Sequence, residues 1–213
     1  MEEKLFKDEL ETQIKDALSV MKEEVKIVLY KSDDEGSKLT EKLLTELKEL
    51  SNNKIILELK DYNKDDPDNK KYNIKGVPSY IFLDKDNNYL NLTYSGIPAG
   101  HEINTLIVNL MDISKYTEKF FEDKDLEKIK NINKKTNIKV FVTLGCPHCP
   151  GAAINASRLA LLNNNITTEI FESQSFGNEA VKYNVSSVPK IVINESNEFV
   201  GNQPIQVFLD NIL

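Results

Sequence analysis

The sequence predicts an α/β protein built from two copies of one structural unit. The segment KIVLYK (26–31) recurs as KVFVTL (139–144), and KYNIKGVPSYIFLDKDNN (71–88) recurs as KYNVSSVPKIVINESNE (182–198). The copies are 113 and 111 residues apart, so insertions between the repeated segments nearly cancel. Two copies at so long a period indicate two homologous domains rather than a solenoid, whose repeats are shorter and more numerous.

Each unit opens with a helix, a strand and a second helix. Ile14, Leu18 and Met21 fall at helical spacing in the first unit, which predicts the opening helix. A β-rich run follows. The next segment, SKLTEKLLTELKEL (37–50) or PGAAINASRLALL (150–162), has the apolar pattern of a helix packed on a core.

The second half of each unit adds strands and a closing helix. A strand is predicted at KIILELK in the first unit and at ITTEIFE in the second. A short polar segment that ends in Lys-Tyr-Asn follows each of them. Two short strands then flank DKDNN (84–88) or NESNE (194–198), whose Asp and Asn residues favour a hairpin turn. The predicted order is α-β-α-β-α-β-β-α, with the early strands parallel and the final pair antiparallel.

The boundary between the units is predicted near MDISKYTEK, at about residue 113. The predicted domains are therefore residues 1–113 and 114–213. No Gly/Ser-rich linker separates them, so we expect the domains to pack closely rather than move freely.

The net charge and the distribution of apolar residues exclude some classes of function. The chain has 27 basic and 34 acidic residues and a formal charge of −7, which disfavours a nucleic-acid-binding or anionic-membrane-binding surface. No segment resembles a signal peptide or reaches membrane-spanning length. We therefore expect a cytoplasmic protein whose partners are proteins or small molecules. Disulfides in that compartment are usually transient and catalytic.

The two cysteines of the chain form a Cys-X-X-Cys motif between a predicted strand and a predicted helix. We expect Cys146 at the helix N-cap and Pro147 at the first helical position, where a missing N–H costs nothing. Unpaired N–H groups and the positive helix end then favour the Cys146 thiolate, and His148 adds a positive charge or a donor. Cys146 is the predicted nucleophile. Cys149, one turn later and more enclosed, is predicted to resolve the mixed disulfide.

Two further prolines bear on this site. Pro150 lacks the N–H that would bond the Cys146 carbonyl in a regular helix, so that carbonyl needs another partner. The Val188–Pro189 bond directly precedes a predicted strand, where proline is permitted. If this bond is cis and lies beside Cys146, the Val188 backbone offers a hydrogen-bonding edge to an extended substrate. An ordinary trans proline that opens a strand is the alternative.

These motifs together resemble a known family. CPHC after a β-run, with SVPK about 40 residues later, resembles the active site of the thioredoxin superfamily. The doubled unit resembles the glutaredoxin-like protein disulfide oxidoreductases, and it is similar to the N-terminal domain of the alkyl hydroperoxide reductase flavoprotein. The resemblance is most specific in SGIPAGHE, VFVTLGCPHCP and KYNVSSVPKIVI. It implies two fused thioredoxin-like folds, each a mixed four-stranded central sheet flanked by helices.

The resemblance implies a thiol–disulfide oxidoreductase that reduces or exchanges protein disulfides, with a peroxiredoxin among its partners. Its reductant would be a separate flavoprotein of the thioredoxin-reductase type that uses NAD(P)H, or glutathione. This chain has no nucleotide-binding glycine fingerprint, so we expect no bound cofactor beyond the redox-active disulfide. Pro-His between the cysteines also resembles the strongly oxidising periplasmic disulfide oxidase. The net direction, whether reduction, oxidation or isomerisation, is therefore left open.

The first unit lacks the second cysteine pair that a two-site disulfide oxidoreductase would carry there. Aligned on KIVLYK, the place of the cysteine pair reads SDDEGS, with Asp33 and Gly36 at the cysteine positions. Val77–Pro78 keeps the proline feature without the thiols. The first unit is therefore predicted to be a scaffold or a docking surface.

Glu102, at the start of the closing helix of the first unit, has two interpretations. It can simply complement the helix dipole. In the peroxide-reductase domain the matching glutamate approaches the thiols, so the resemblance implies a proton acceptor, which requires a pKa raised by partial burial.

Three other interpretations of the cysteine pair carry less weight. Two cysteines and two histidines are an insufficient set for a closed zinc site, since His148 is held between the cysteines, so no metal ligand is assigned. A purely structural disulfide is unusual in the predicted compartment. A non-catalytic peptide-binding module with an incidental cysteine pair is the third alternative.

Overall fold

A computed structural model describes residues 3–115 and 120–213 of the chain. The first half contains, in chain order, α1 (Asp8–Leu18), β1 (Val25–Lys31), α2 (Glu35–Leu50), β2 (Ile55–Asp61), α3 (Pro67–Lys71), β3 (Ser79–Leu83), β4 (Tyr89–Ser95) and α4 (Ile103–Lys115). The second half contains α5 (Asp123–Lys130), β5 (Thr136–Val142), α6 (Cys149–Leu162), β6 (Ile166–Glu172), α7 (Gly177–Lys182), β7 (Lys190–Ile193), β8 (Asn197–Val200) and α8 (Ile205–Ile212). A short 3-10 turn, Gly100–Glu102, precedes α4. Both halves have the predicted order of elements.

The strands of the described ranges form one mixed sheet in the order β2-β1-β3-β4-β6-β5-β7-β8. In each half the first two strands are parallel and the last two are antiparallel, as predicted. The third strand lies antiparallel to the first. Side chains that alternate along β1 point into apolar clusters on both faces of the sheet, which explains why β1 is apolar along most of its length.

The two four-stranded halves join edge to edge. β4 of the first half pairs in parallel with β6 of the second, with Leu92 opposite Thr168 and Ser95 opposite Phe171. The prediction of closely packed units is thus confirmed by a continuous backbone ladder, which holds the two units in one relative orientation.

Helices reinforce this junction. α4 packs against α6, which presents a row of small buried residues: Ala152, Ala153, Ala156 and Ala160. Near the C-terminal end of α4, the buried Asp112 carboxylate accepts a hydrogen bond from Nε of Arg158 in α6 at 2.8 Å. The Arg158 guanidinium also lies 4.2 Å from the ring centre of Phe120.

The strand register corrects one spacing inferred from the repeat. Tyr30 lies opposite Ser79, and Phe141 lies opposite Lys190, so the strands of the two units correspond at 111 residues rather than the 113 predicted from KIVLYK. The discrepancy arises in the following loop. Residues 32–34 connect β1 to α2, whereas residues 143–148 connect β5 to α6. The loop of the second unit is therefore longer.

The predicted domain boundary falls within the last turn of α4. Residues 116–119, which belong to the predicted boundary segment, lie outside the described residues. The division into residues 1–113 and 114–213 stays a prediction. Among the helices that the structure describes, none has the length and apolar character needed to span a membrane.

Candidate active site

The loop of residues 143–148, here called the cysteine loop, carries Cys146 between β5 and α6. The structure corrects the predicted helix start: α6 begins at Cys149 with His148 as its N-cap, rather than at Pro147 with Cys146 as its N-cap. An N-cap carbonyl at Cys146 would need the N–H of Pro150, which proline lacks. The N–H of Cys149 donates to the Cys146 carbonyl instead, at 3.4 Å. A tight turn therefore separates Cys146 from the helix.

The two cysteines differ in their access to solvent. Cys149, the first residue of α6, is fully buried. Cys146 is only partly buried, and Pro147 and His148 are exposed. A disulfide joins Cys146 and Cys149, whose Cα atoms are 5.5 Å apart, within the usual range for such a bond. Cys146 is therefore the more accessible of the two disulfide-bonded residues.

The Val188–Pro189 segment lies beside Cys146. Its peptide bond is cis, as is the bond between Val77 and Pro78 in the first unit. The Cys146 Sγ is 3.9 Å from the Val188 carbonyl oxygen, and the Pro189 carbonyl accepts a hydrogen bond from the N–H of Gly201 at 2.8 Å. Val188 precedes β7, so its main chain stands at the end of the strand next to Cys146.

Glu102 lies in the 3-10 turn before α4 and is completely buried. Burial is the main reason that its pKa is raised to about 7. The hydroxyl groups of Thr105 and Tyr94 oppose this rise, and the negative charge of Glu172 adds to it. Among the described residues, neither carboxyl oxygen has a partner with ordinary hydrogen-bond geometry. Glu102 is therefore a buried carboxyl group whose pKa lies near neutral pH.

Sequence reasoning did not find the contribution of Glu172. This residue ends β6 and is almost fully buried, and its carboxylate accepts hydrogen bonds from the N–H groups of Gln174 and Ser175 at 2.9 and 2.8 Å. Its influence on Glu102 depends on the pairing of β4 with β6, which places the ends of two different units side by side. The spacing of residues along the chain carries no signal for such a contact.

The first unit has no sulfur at the matching end of its sheet. Asp33 is exposed in the connection between β1 and α2, and Gly36 lies in the first turn of α2. A Cβ atom placed on Gly36 would be 3.6 Å from the Pro78 ring. The first unit thus keeps a proline next to a helix start but offers no group for thiol chemistry.

The arrangement in the second unit is suited to disulfide exchange. It combines an accessible sulfur, a buried sulfur within bonding reach and a stretch of main chain beside the accessible one. Within residues 3–115 and 120–213, no group of three or more His, Cys, Asp or Glu side chains is arranged to hold a metal ion.

Comparison with known proteins agrees with this geometry. Residues 136–213 match the Thioredoxin_3 family, described as a thioredoxin domain. Over 204 residues, or 96% of this chain, the sequence is 26% identical to the F component of alkyl hydroperoxide reductase from Staphylococcus aureus (strain Mu50). This chain spans 37% of the length of that relative.

Two solved structures resemble the whole chain. The alkyl hydroperoxide reductase protein AhpF of Enterococcus faecalis has a TM-score of 0.90 and 25% identity, with 98% of this chain and 99% of that chain covered. A protein disulfide oxidoreductase from Aeropyrum pernix has a TM-score of 0.85 and 26% identity, with 97% and 92% covered. The chain therefore has the predicted tandem thioredoxin-like fold and is similar to thioredoxin-like disulfide oxidoreductases.

The raised pKa of Glu102 predicts a pH-dependent stability that Glu102→Gln should remove. The carboxyl stays protonated in the folded protein up to about pH 7, but in the unfolded chain it ionises near its ordinary value of 4.5. The folded chain binds more protons between these values, so its free energy of unfolding falls as pH rises from 4.5 to 7, by roughly 3 kcal/mol. Urea unfolding across this range measures the difference between wild type and variant.

Glu127→Gln, at an exposed position on α5, serves as the control and should leave the pH profile of wild type unchanged. A difference between wild type and Glu102→Gln that does not vary with pH would show that Glu102 ionises like an exposed glutamate.

Proposed function

We propose that this chain is a protein disulfide oxidoreductase that uses Cys146 and Cys149 to reduce or exchange disulfides of other proteins. The observation that supports this best is the difference between the two sulfurs. Cys146 is accessible and lies next to the main chain of Val188, while Cys149 is buried within bonding reach of it. A purely structural disulfide does not need one accessible cysteine next to the main chain of a strand end.

The proposed reaction has two steps that balance. In the reduced protein the Cys146 thiolate attacks one sulfur of a substrate disulfide, forming a mixed disulfide and releasing the other substrate sulfur, which takes up a proton. Cys149 then loses its proton, and its thiolate attacks Cys146. The mixed disulfide breaks, the Cys146–Cys149 disulfide forms, and the second substrate thiol leaves. The substrate gains two electrons and this chain loses two.

The position of Cys146 supports its role as the attacking group. The cysteine loop precedes the first turn of α6, whose unpaired N–H groups and positive dipole end stabilise a nearby negative charge. Pro147 and His148 are exposed beside it, and a protonated His148 would add to that stabilisation. A lowered thiol pKa gives more of the thiolate, which is the reactive form.

The main chain at Val188 is proposed to hold the substrate. An extended segment carrying the substrate disulfide can pair with the backbone next to β7, as peptides do at open strand edges. Such pairing would present its sulfur to Cys146, which lies 3.9 Å from the Val188 carbonyl oxygen. Pro189 leaves this edge without an N–H of its own.

Glu102 is proposed to accept and return the proton of the buried thiol. A group whose pKa is near the working pH can do both, and burial raises the pKa of Glu102 to about 7. The turn that carries Glu102 is hydrogen-bonded to the cysteine loop, which supports a position close to the reacting sulfurs.

The electron source and the partner are inferred from similarity. The alkyl hydroperoxide reductase relatives support a relay in which a flavoprotein of the thioredoxin-reductase type, using NAD(P)H, reduces this disulfide and a peroxiredoxin accepts the electrons. Glutathione is the alternative reductant. We place this exchange in the cytoplasm, with no cofactor bound to the chain itself.

Disulfide formation is the second candidate function, favoured by the Pro147-His148 pair between the cysteines. The reduction potential separates the two candidates and is measured by equilibrating the protein with glutathione buffers. We expect a value near or below about −230 mV, typical of reducing members of the superfamily. A value near about −120 mV would instead identify an oxidase.

The exchange mechanism predicts that Cys149→Ser traps substrates. Without the resolving thiol, the mixed disulfide at Cys146 persists, so covalent complexes that are released by dithiothreitol should accumulate when the variant meets a disulfide-bearing protein. Non-reducing electrophoresis and mass spectrometry of the linked peptides measure this. Cys146→Ser is the matched control and should form none. Equal trapping by both variants would contradict the assignment of Cys146 as nucleophile.

A further inference from the structure

The cysteine loop is held by the first unit. The N–H of His101 donates to the carbonyl of Leu144 at 2.9 Å. Among the described residues, this is the one main-chain hydrogen bond that joins residues 143–148 to a distant part of the chain. The turn Gly100–Glu102, here called the docking turn, thus contacts the loop two residues before Cys146.

Gly100 allows this contact to be close. Its φ is +57°, in the left-handed region that favours glycine. A Cβ atom at this position would lie 2.4 Å from the Leu144 carbonyl oxygen, which is a main-chain atom that cannot simply rotate away. Any side chain would therefore push the docking turn and the cysteine loop apart.

The equivalent loop of the first unit is held in a different way. Asp34 caps α2 by accepting a hydrogen bond from the Ser37 N–H at 2.9 Å, and the Ser37 hydroxyl accepts from the Ser32 N–H at 3.1 Å. In the second unit the loop is longer, and the N-cap His148 makes no capping hydrogen bond with its side chain. The cysteine loop therefore lacks the side-chain capping that supports the shorter loop.

We propose that the docking turn replaces this support and so positions Cys146 for its reaction, which gives the cysteine-free unit a direct role in catalysis. His101, through its main chain, and Gly100 are positioning residues. Their contact fixes Cys146 relative to the α6 N-terminus and the Val188 main chain, the two features that stabilise the thiolate and receive substrate. The proposal rests on the proposed function but concerns a separate contact.

Two pairs of variants test the proposal. His101→Pro removes the N–H donor at a first-turn position that tolerates proline, whereas His101→Ala removes only the imidazole. Gly100→Ala introduces the clash with Leu144, whereas Gly177→Ala adds a Cβ that meets nothing within 4 Å. Urea unfolding first establishes that each variant folds cooperatively.

The first measurement is the rate of Cys146 alkylation by iodoacetamide in the reduced protein at pH 7. His101→Pro and Gly100→Ala should each react at least about tenfold more slowly, because a displaced loop loses thiolate stabilisation. His101→Ala and Gly177→Ala should stay within about twofold of wild type. Equal rates in the two His101 variants would overturn the proposal, as would wild-type rates in both folded test variants.

The second measurement does not depend on activity. Amide hydrogen exchange of residues 143–149 should become faster in His101→Pro and Gly100→Ala and stay unchanged in the two controls. Unchanged exchange in the test variants would also overturn the proposal. If wild type exchanges no disulfide at all, the proposed function fails, and the hydrogen-exchange result still decides whether the docking turn holds the loop.

Discussion

The parallel pairing of β4 with β6 brings the C-terminal end of a strand of the first unit beside the C-terminal end of a strand of the second. Gly96 and the docking turn follow β4, while Glu172 ends β6. A Cβ atom on Gly96 would lie 2.3 Å from the Cβ of Glu172, which shows how closely the two ends approach. Because this ladder fixes the units in one orientation, a turn of the first unit can reach the cysteine loop of the second.

This arrangement brings a unit without thiols into contact with the cysteine loop. The first unit supplies a buried carboxyl at Glu102 and a main-chain donor at His101. The second unit supplies both sulfurs and the Val188 backbone. The two units are thus similar in fold but different in task, and the difference begins at the longer loop that carries Cys146.

Much of the fold could be predicted from the sequence, because its signals are local. The repeated segments, the helical spacing of apolar residues and the Asn- and Asp-rich hairpin turns indicate the element order in both units. The cysteine pair and its nearby prolines are equally local. Two predictions at the same loop were wrong: the helix starts at Cys149 rather than Pro147, and the strands of the two units correspond at 111 residues rather than 113. Pro150 explains the first error, and the added loop length explains the second.

Contacts between the units could not be predicted in the same way. Glu102, Leu144 and Glu172 come together only after two sheets join along one edge, and a single sequence carries no pattern for that register. The negative charge of Glu172, which adds to the rise in the pKa of Glu102, reaches it through this junction. The cysteine motif and Glu102 could therefore be singled out from the sequence, whereas the contact at Leu144 and the influence of Glu172 required the structure.

The proposed exchange requires Cys146 to be the reactive cysteine and Cys149 to be protected by burial. Brief treatment of the reduced, folded protein with one equivalent of iodoacetamide, followed by peptide mass spectrometry, tests it directly. The structure predicts that the label is found on Cys146 and that Cys149 reacts only after unfolding. Equal labelling of both cysteines, or faster labelling of Cys149, would contradict the assignment of Cys146 as the reactive cysteine.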